Sequence, residues 1–131
     1  MSKLEEQARK EIIVAEDDDG VREFIGTVIS RYLKDKYEVR TARNGKEALD
    51  EMGKGRPEMV ISDIEMGEMN GIALLEKIKN DEKYKNLKII IISGYLDEYK
   101  EKLKGYNIKT LEKPFSVKQL TDAIESFYTA P

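Results

Sequence analysis

Short β-branched runs alternate along this chain with stretches whose apolar residues recur at helical spacing, and that alternation narrows the fold further than any other feature. Ile12-Ile13-Val14-Ala15 is an apolar run of strand length that ends in acids. Val21, Phe24, Ile25, Val28, Ile29, Tyr32 and Leu33 then mark one face of a helix. Tyr37, Val39 and Thr41 alternate with charged residues, as a half-exposed edge strand does. Asn44-Gly45 opens a second helix with Ala48, Leu49 and Met52 inward, closing near Gly53 and Gly55. Met59-Val60-Ile61 is a buried strand that ends at Asp63, and Ile72, Leu74, Leu75 and Ile78 mark a third helix. Ile89 to Ile92 is apolar on both faces, which suits the middle of a parallel sheet. A short helix is predicted over Asp97 to Lys104, a last strand over Ile108 to Leu111, and a final helix through Val117, Leu120, Ala123, Ile124 and Phe127 to about Tyr128.

Five strand–helix units in succession predict a parallel sheet covered on both sides, an α/β doubly wound (βα)5 sandwich of the flavodoxin-like kind. The 131 residues suit one domain. We expect that domain over residues 11–128, an extension over 1–10 and a tail over 129–131.

Composition removes whole chemistries. With no His and no Cys there is no imidazole base, no thiolate, no usual zinc ligand and no disulfide framework. The chain cannot carry phosphate on an imidazole. Lys and Arg number 23 against 26 Asp and Glu, so no basic excess exists to neutralise nucleic-acid phosphates, and direct nucleic-acid binding is not expected. Apolar runs reach only four residues, whereas a membrane span needs roughly 20. Met1 to Lys10 is polar and charged, unlike a secretory signal, so a cytoplasmic location is expected.

In open α/β sheets, ligands gather at the carboxyl ends of the strands. The strand ends here deliver Glu16-Asp17-Asp18-Asp19, then Asp63, then Ser93-Gly94, then Glu112-Lys113-Pro114. An acidic run can simply be solvated and cap the next helix, and Asp18 or Asp19 is placed to do so. Asp63 adds weight to a second role. Neighbouring strands lie about 4.8 Å apart, so Glu16, Asp17 and Asp63 would repel one another and raise each other's pKa. A divalent cation relieves that repulsion. With oxygen as the only donor type and few protein ligands, Mg²⁺ fits best. The consecutive acids do not match an EF-hand loop. Ser93 and Lys113 are each unremarkable alone. Beside a metal, a hydroxyl and an ammonium could surround a phosphoryl group carried on Asp63, since carboxylates serve as phosphoryl acceptors.

Four segments carry a resemblance. Ile12 to Arg22 (IIVAEDDDGVR), Ser62 to Gly71 (SDIEMGEMNG), Ile91 to Gly94 (IISG) and Glu112 to Phe115 (EKPF) together resemble the receiver domain of bacterial two-component response regulators. The resemblance implies sheet order 2-1-3-4-5 and a chemotaxis-regulator-like single domain. It implies Asp63 as phosphoacceptor, Glu16 and Asp17 as the acidic pair on Mg²⁺, and the Glu65 backbone carbonyl as a further metal ligand. Ser93 would bond the phosphoryl group in the active state. Lys113 would pair with it, before a cis bond to Pro114. The implied partners are a histidine kinase or histidine phosphotransfer protein as donor, and an effector protein at the face of the fourth helix, fifth strand and fifth helix. The only chemistry would be self-catalysed transfer to Asp63 and autodephosphorylation.

Three positions depart from the pattern. Glu16 stands where Asp is usual, Gly67 where Pro is usual, and Thr110 where a switch aromatic is usual. Tyr95 and Tyr106 are nearby aromatics expected to pack or lie at the surface. A receiver-like docking module that works without phosphate is the alternative. A flavodoxin-like flavin protein would want a hydroxyl- and glycine-rich loop after the first strand, and a haloacid-dehalogenase phosphatase would want D-x-D where this chain has Asp63-Ile64-Glu65.

Overall fold

A computed structural model describes residues 9–34 and 36–129. The expectations for residues 1–8 and 130–131 lie outside that range. Strand β1 runs Lys10–Ala15, helix α1 Asp19–Tyr32, β2 Tyr37–Ala42, α2 Gly45–Met52, β3 Pro57–Asp63 and α3 Gly71–Lys79. A 3-10 turn at Glu82–Tyr84 leads to β4, Lys88–Ser93. A second 3-10 turn, Leu96–Tyr99, leads to α4, Lys100–Leu103, then β5, Lys109–Glu112, and α5, Val117–Glu125. Lys10, placed in the extension from sequence, is the first residue of β1.

The five strands form one parallel sheet in the order β2-β1-β3-β4-β5. Strand side chains alternate between faces, and that explains the all-apolar run in β4. Ile89 and Ile91 enter a core with Ile13, Val60, Met52, Leu74, Leu75 and Ile78, beneath α2 and α3. Ile90 and Ile92 enter the opposite core with Ile12, Val14, Ile61, Ile25, Ile29, Leu120 and Ile124, beneath α1 and α5. The outer strands β2 and β5 are only partly buried, so their alternating polar residues face water.

The longer helices start where the sequence offers a short polar cap. Asp18 accepts a hydrogen bond from the Val21 N–H at the start of α1, Asn44 from Glu47 at α2, and Asn70 from Ala73 at α3. Ser116 and Gln119 form a reciprocal capping box at α5.

Two helical segments differ from their sequence reading. The segment expected as one helix over Asp97 to Lys104 is a 3-10 turn followed by the single turn of α4, and neither has a side-chain cap. Only Leu103 of this stretch is buried, so little apolar contact holds it helical. The last helix ends at Glu125, and the N–H groups of Phe127 and Tyr128 reach back three residues to tighten the chain into a turn. The Tyr128 hydroxyl donates to Glu58, while Lys10 and Lys88 lie 4.3 and 5.1 Å from its ring centroid. That turn is thereby pinned to β1, β3 and β4. Among the described residues, no helix is long and apolar enough to cross a membrane.

Ile90 is fully buried in the second core. Ile90→Ala should lower the unfolding free energy by about 2–5 kcal/mol, read from the urea midpoint. A loss well under 1 kcal/mol would mean that this core is not closely filled.

Candidate phosphoacceptor site

The register brings the acids together. Ala15 pairs with Ser62 across β1 and β3, and one step further along come Glu16 and Asp63. The ladder persists past both strand ends: the Glu16 N–H donates to Ala42 O at 3.0 Å, and the Ile64 N–H to Ile92 O at 3.1 Å. The chain is therefore still extended where the two carboxylates leave it. Beyond β5, the Lys113 N–H donates to Ser93 O at 2.9 Å, which fixes the lysine backbone beside β4.

Glu16 is fully buried and Asp63 is 2% exposed. The Lys113 ammonium lies 2.8 Å from Glu16 Oε1 and 3.2 Å from Asp63 Oδ2, between the two. One carboxylate oxygen from each of Glu16, Asp17 and Asp63 falls within 4.8 Å of the others. Asp17 is the exposed member. Asp63 Oδ1 is buried with no hydrogen-bond partner among the described residues.

Burial pushes the Asp63 carboxyl up to about 7, the Glu16 charge adds to the rise, and Lys113 opposes both without overcoming them. Burial alone would lower the Lys113 ammonium. Its contacts with Glu16 and Asp63 outweigh that, and the net direction is upward. Three ionised carboxylates and one ammonium would leave two negative charges side by side. An unpartnered buried oxygen, oxygen-only donors and two uncompensated charges fit a divalent cation.

Ser93 is also fully buried. Its hydroxyl donates to Glu65, with Oε1 and Oε2 both 3.2 Å away, and accepts the Tyr95 N–H at 2.9 Å. The sequence marks Glu65 for its backbone carbonyl and, with Tyr95, as a position that by resemblance shapes water access to the phosphate; its side-chain contact with Ser93 is an addition from the structure. Residues two apart in extended chain share a side, so the Asp63-Ile64-Glu65 spacing held the available signal. Tyr99 was not considered from sequence; the neighbouring Glu65 carboxylate, with a smaller contribution from burial, holds its hydroxyl above the usual tyrosine range. The Lys113–Pro114 bond is cis. Thr110 is exposed, Tyr95 is 59% exposed, and Tyr106 packs against the core beneath α2 and α3.

The loop from β3 to α3 carries its bend on Glu68 and Met69, with φ of 38° and 71°, beside Gly67. Gly71 closes it. Its N–H donates to Ile64 O at 2.9 Å, and a Cβ there would stand 2.2 Å from the Asp63 carbonyl oxygen. Only glycine lets α3 start so close to the acceptor strand.

The family model of the response regulator receiver domain matches residues 12–125, and the chain belongs to that family. Sporulation initiation phosphotransferase F of Bacillus subtilis (strain 168) is 29% identical over 120 residues, covering 90% of this chain and 93% of that protein. Sensor kinase CckA of Brucella abortus (strain 2308) is 34% identical over 119 residues, 87% of this chain but 12% of the kinase. The chemotaxis response regulator CheY4 of Vibrio cholerae, 26% identical, has a TM-score of 0.80 over 90% of this chain and 98% of that one. The chain is thus a two-component receiver domain, with the strand order that the resemblance implied, and nothing in its relatives favours a phosphate-independent docking module.

Two outcomes follow from this geometry. Gly71→Ala must shift backbone, so it should cost about 1–3 kcal/mol of stability in urea unfolding. A neutral result would mean that α3 tolerates displacement from β3. The second concerns pH in chelator. Asp63 binds its proton more tightly folded than unfolded, so its contribution to stability is full below its ordinary pKa of 3.8 and is lost as pH rises through about 7. Asp63→Asn never ionises. Its stability advantage over the parent chain should therefore grow between about pH 5 and about pH 8. An advantage that shrinks over that window would contradict the raised pKa.

Proposed function

We propose that Asp63 accepts a phosphoryl group from a phosphohistidine on a partner histidine kinase or histidine phosphotransfer protein. The observation that carries this is Asp63 Oδ1, a buried carboxylate oxygen without a partner, beside two further carboxylates and one ammonium. Proteins similar to this chain include a sensor kinase and a phosphotransferase, which supports a donor of that class. No imidazole exists in this chain to supply the phosphate itself.

Asp63 supplies the nucleophilic oxygen. A bond forms from that oxygen to phosphorus as the phosphorus–nitrogen bond to the donor breaks, and the released imidazole leaves with the electron pair and takes up a proton. Glu16, Asp17, Asp63 and the Glu65 backbone carbonyl would hold Mg²⁺. The cation, when bound, would neutralise charge building on the phosphoryl oxygens. Lys113, in contact with Asp63, would pair with the product anion, and Ser93 would turn its hydroxyl from Glu65 to donate a hydrogen bond to it. Chemistry ends there, with transfer to Asp63 and its later loss to water, so the chain is a switch rather than an enzyme with a separate substrate. Its readout would be protein contact at the face of α4, β5 and α5, without direct nucleic-acid binding. A histidine-kinase donor places it in the cytoplasm, as one domain over residues 11–128.

Incubation with acetyl phosphate and Mg²⁺ should add one phosphate to the parent chain by intact mass, and none to Asp63→Asn or in excess chelator. A mass gain that persists in Asp63→Asn would sink the assignment of the acceptor.

A further inference from the structure

The amino-terminal edge of the sheet, opposite the phosphoacceptor, carries a hollow of about 440 Å³ between the α2–β3 turn and the 3-10 turn before β4. That volume is of ligand size. Met52, Pro57 and Tyr84 give it apolar walls, and Arg56 and Lys83 bring it two positive charges. No carboxylate lines it. Three other hollows on the described surface each include at least one: Asp19 and Glu23 between α1 and β2, Asp18 beside Phe115, and Glu101 and Glu112 beside α4. In a chain with more acids than bases, a walled pair of cations without an acid needs a physical reason.

Ion pairing within the chain does not supply it. Arg40 holds Glu11 at 2.8 Å and Glu51 at 3.5 Å, and Lys54 holds Glu51 at 2.6 Å. Asp81 accepts the Lys83 backbone N–H as the cap of the 3-10 turn, and Glu82 does not line the hollow. Arg56 and Lys83 therefore make no ion pair among the described residues. Both are nonetheless held. Lys83 Nζ stands 4.9 Å from the Tyr84 ring centroid. Arg56 lies between Gly55 and Pro57. Pro57 opens β3 with its φ fixed, and Gly55 lies so close to the Glu11–Arg40 pair that a Cβ there would meet the Glu11 carboxylate. The turn that presents Arg56 is thus seated on a charged network. A guanidinium takes two oxygens of a phosphate or carboxylate side by side, and an ammonium adds a compact charge. Apolar walls would cover a short carbon body.

We propose that this hollow binds a small organic dianion, a phosphate monoester or a dicarboxylate, between Arg56 and Lys83. The site stands at the opposite edge from Asp63 and does not depend on its phosphorylation. Its occupant would tie the turn that starts β3 to the turn that precedes β4, the strands that deliver Asp63 and Ser93 at their far ends.

The test follows backbone amide shifts of the isotope-labelled chain by NMR, in chelator and at about 0.15 M salt, where charges more than about 8 Å apart are largely screened. Glycerol 3-phosphate, succinate and neutral glycerol are titrated separately. At least one dianion should give saturable shifts centred on Gly55, Arg56, Lys83 and Tyr84, and glycerol none. Arg56→Gln and Lys83→Gln should each weaken that binding about tenfold or more. Lys85→Gln, close in the chain but outside the hollow, should change it less than about twofold. Saturation by the phosphate alone or by succinate alone upholds the site and assigns the source of the dianion. Shifts that do not saturate, shifts centred instead on Lys113, or equal weakening by Lys85→Gln overturn it. Binding of neither dianion overturns it as well.

Discussion

Two buried carboxylates share one lysine at the carboxyl end of this sheet, and the rest of the structure can be understood as what it takes to keep them there. Glu16 and Asp63 are in contact with Lys113 at 2.8 and 3.2 Å, yet the Asp63 carboxyl is pushed up to about 7. One ammonium does not offset burial and a neighbouring charge. Such a site lowers the stability of the fold wherever Asp63 is ionised. It persists because each member is fixed by backbone pairing rather than by its own side-chain contacts: Glu16 N–H to Ala42, Ile64 N–H to Ile92, Lys113 N–H to Ser93. The sheet opposes the repulsion.

That opposition needs a particular sheet. Parallel strands all deliver their carboxyl ends to one edge, so residues distant in sequence, Glu16, Asp63, Ser93 and Lys113, meet with no dedicated loop to gather them. The inner strands must be buried on both faces to be rigid enough. Ile12 with Ile13, Val60 with Ile61 and Ile89 to Ile92 supply two cores, one to each side. Both roles meet at the sheet's centre, where β1 and β3 are neighbours and carry the acids.

Much of this was legible in the sequence, for identifiable reasons. Strand positions follow from β-branched runs, and the doubly apolar Ile89 to Ile92 announces an inner strand because only a sheet covered twice can hide both sides. Asn44 and the acidic run foretell helix starts, since a short polar side chain at that place satisfies N–H groups that nothing else can reach. The principal site acids follow from where strands end. What escaped was set by side chains crossing between loops. Glu65 and Ser93 lie 28 positions apart, 93 − 65, and no periodicity links them. The helix boundary missed at Asp97 to Lys104 falls where apolar contacts are few, so local hydrogen bonding decides between 3-10 and α geometry. Gly71 escaped as well: a close backbone approach leaves no mark in a sequence except the glycine itself.

Firm and loosely held parts divide along the same edge. The acids leave the best-buried strands. The two loops beside them are built differently: β3 to α3 turns on left-handed Glu68 and Met69, and β4 to α4 passes through short, uncapped helical turns. Left-handed backbone at residues with side chains costs about 1–2 kcal/mol each, and uncapped single turns have little of their own to hold them. These are the segments that a small electrostatic change can move, because little apolar area must be exposed to move them. A charge added to Asp63 cannot displace the strand that carries it. In the proposed reading its effect therefore passes outward, into the part of the fold with least to lose by rearranging.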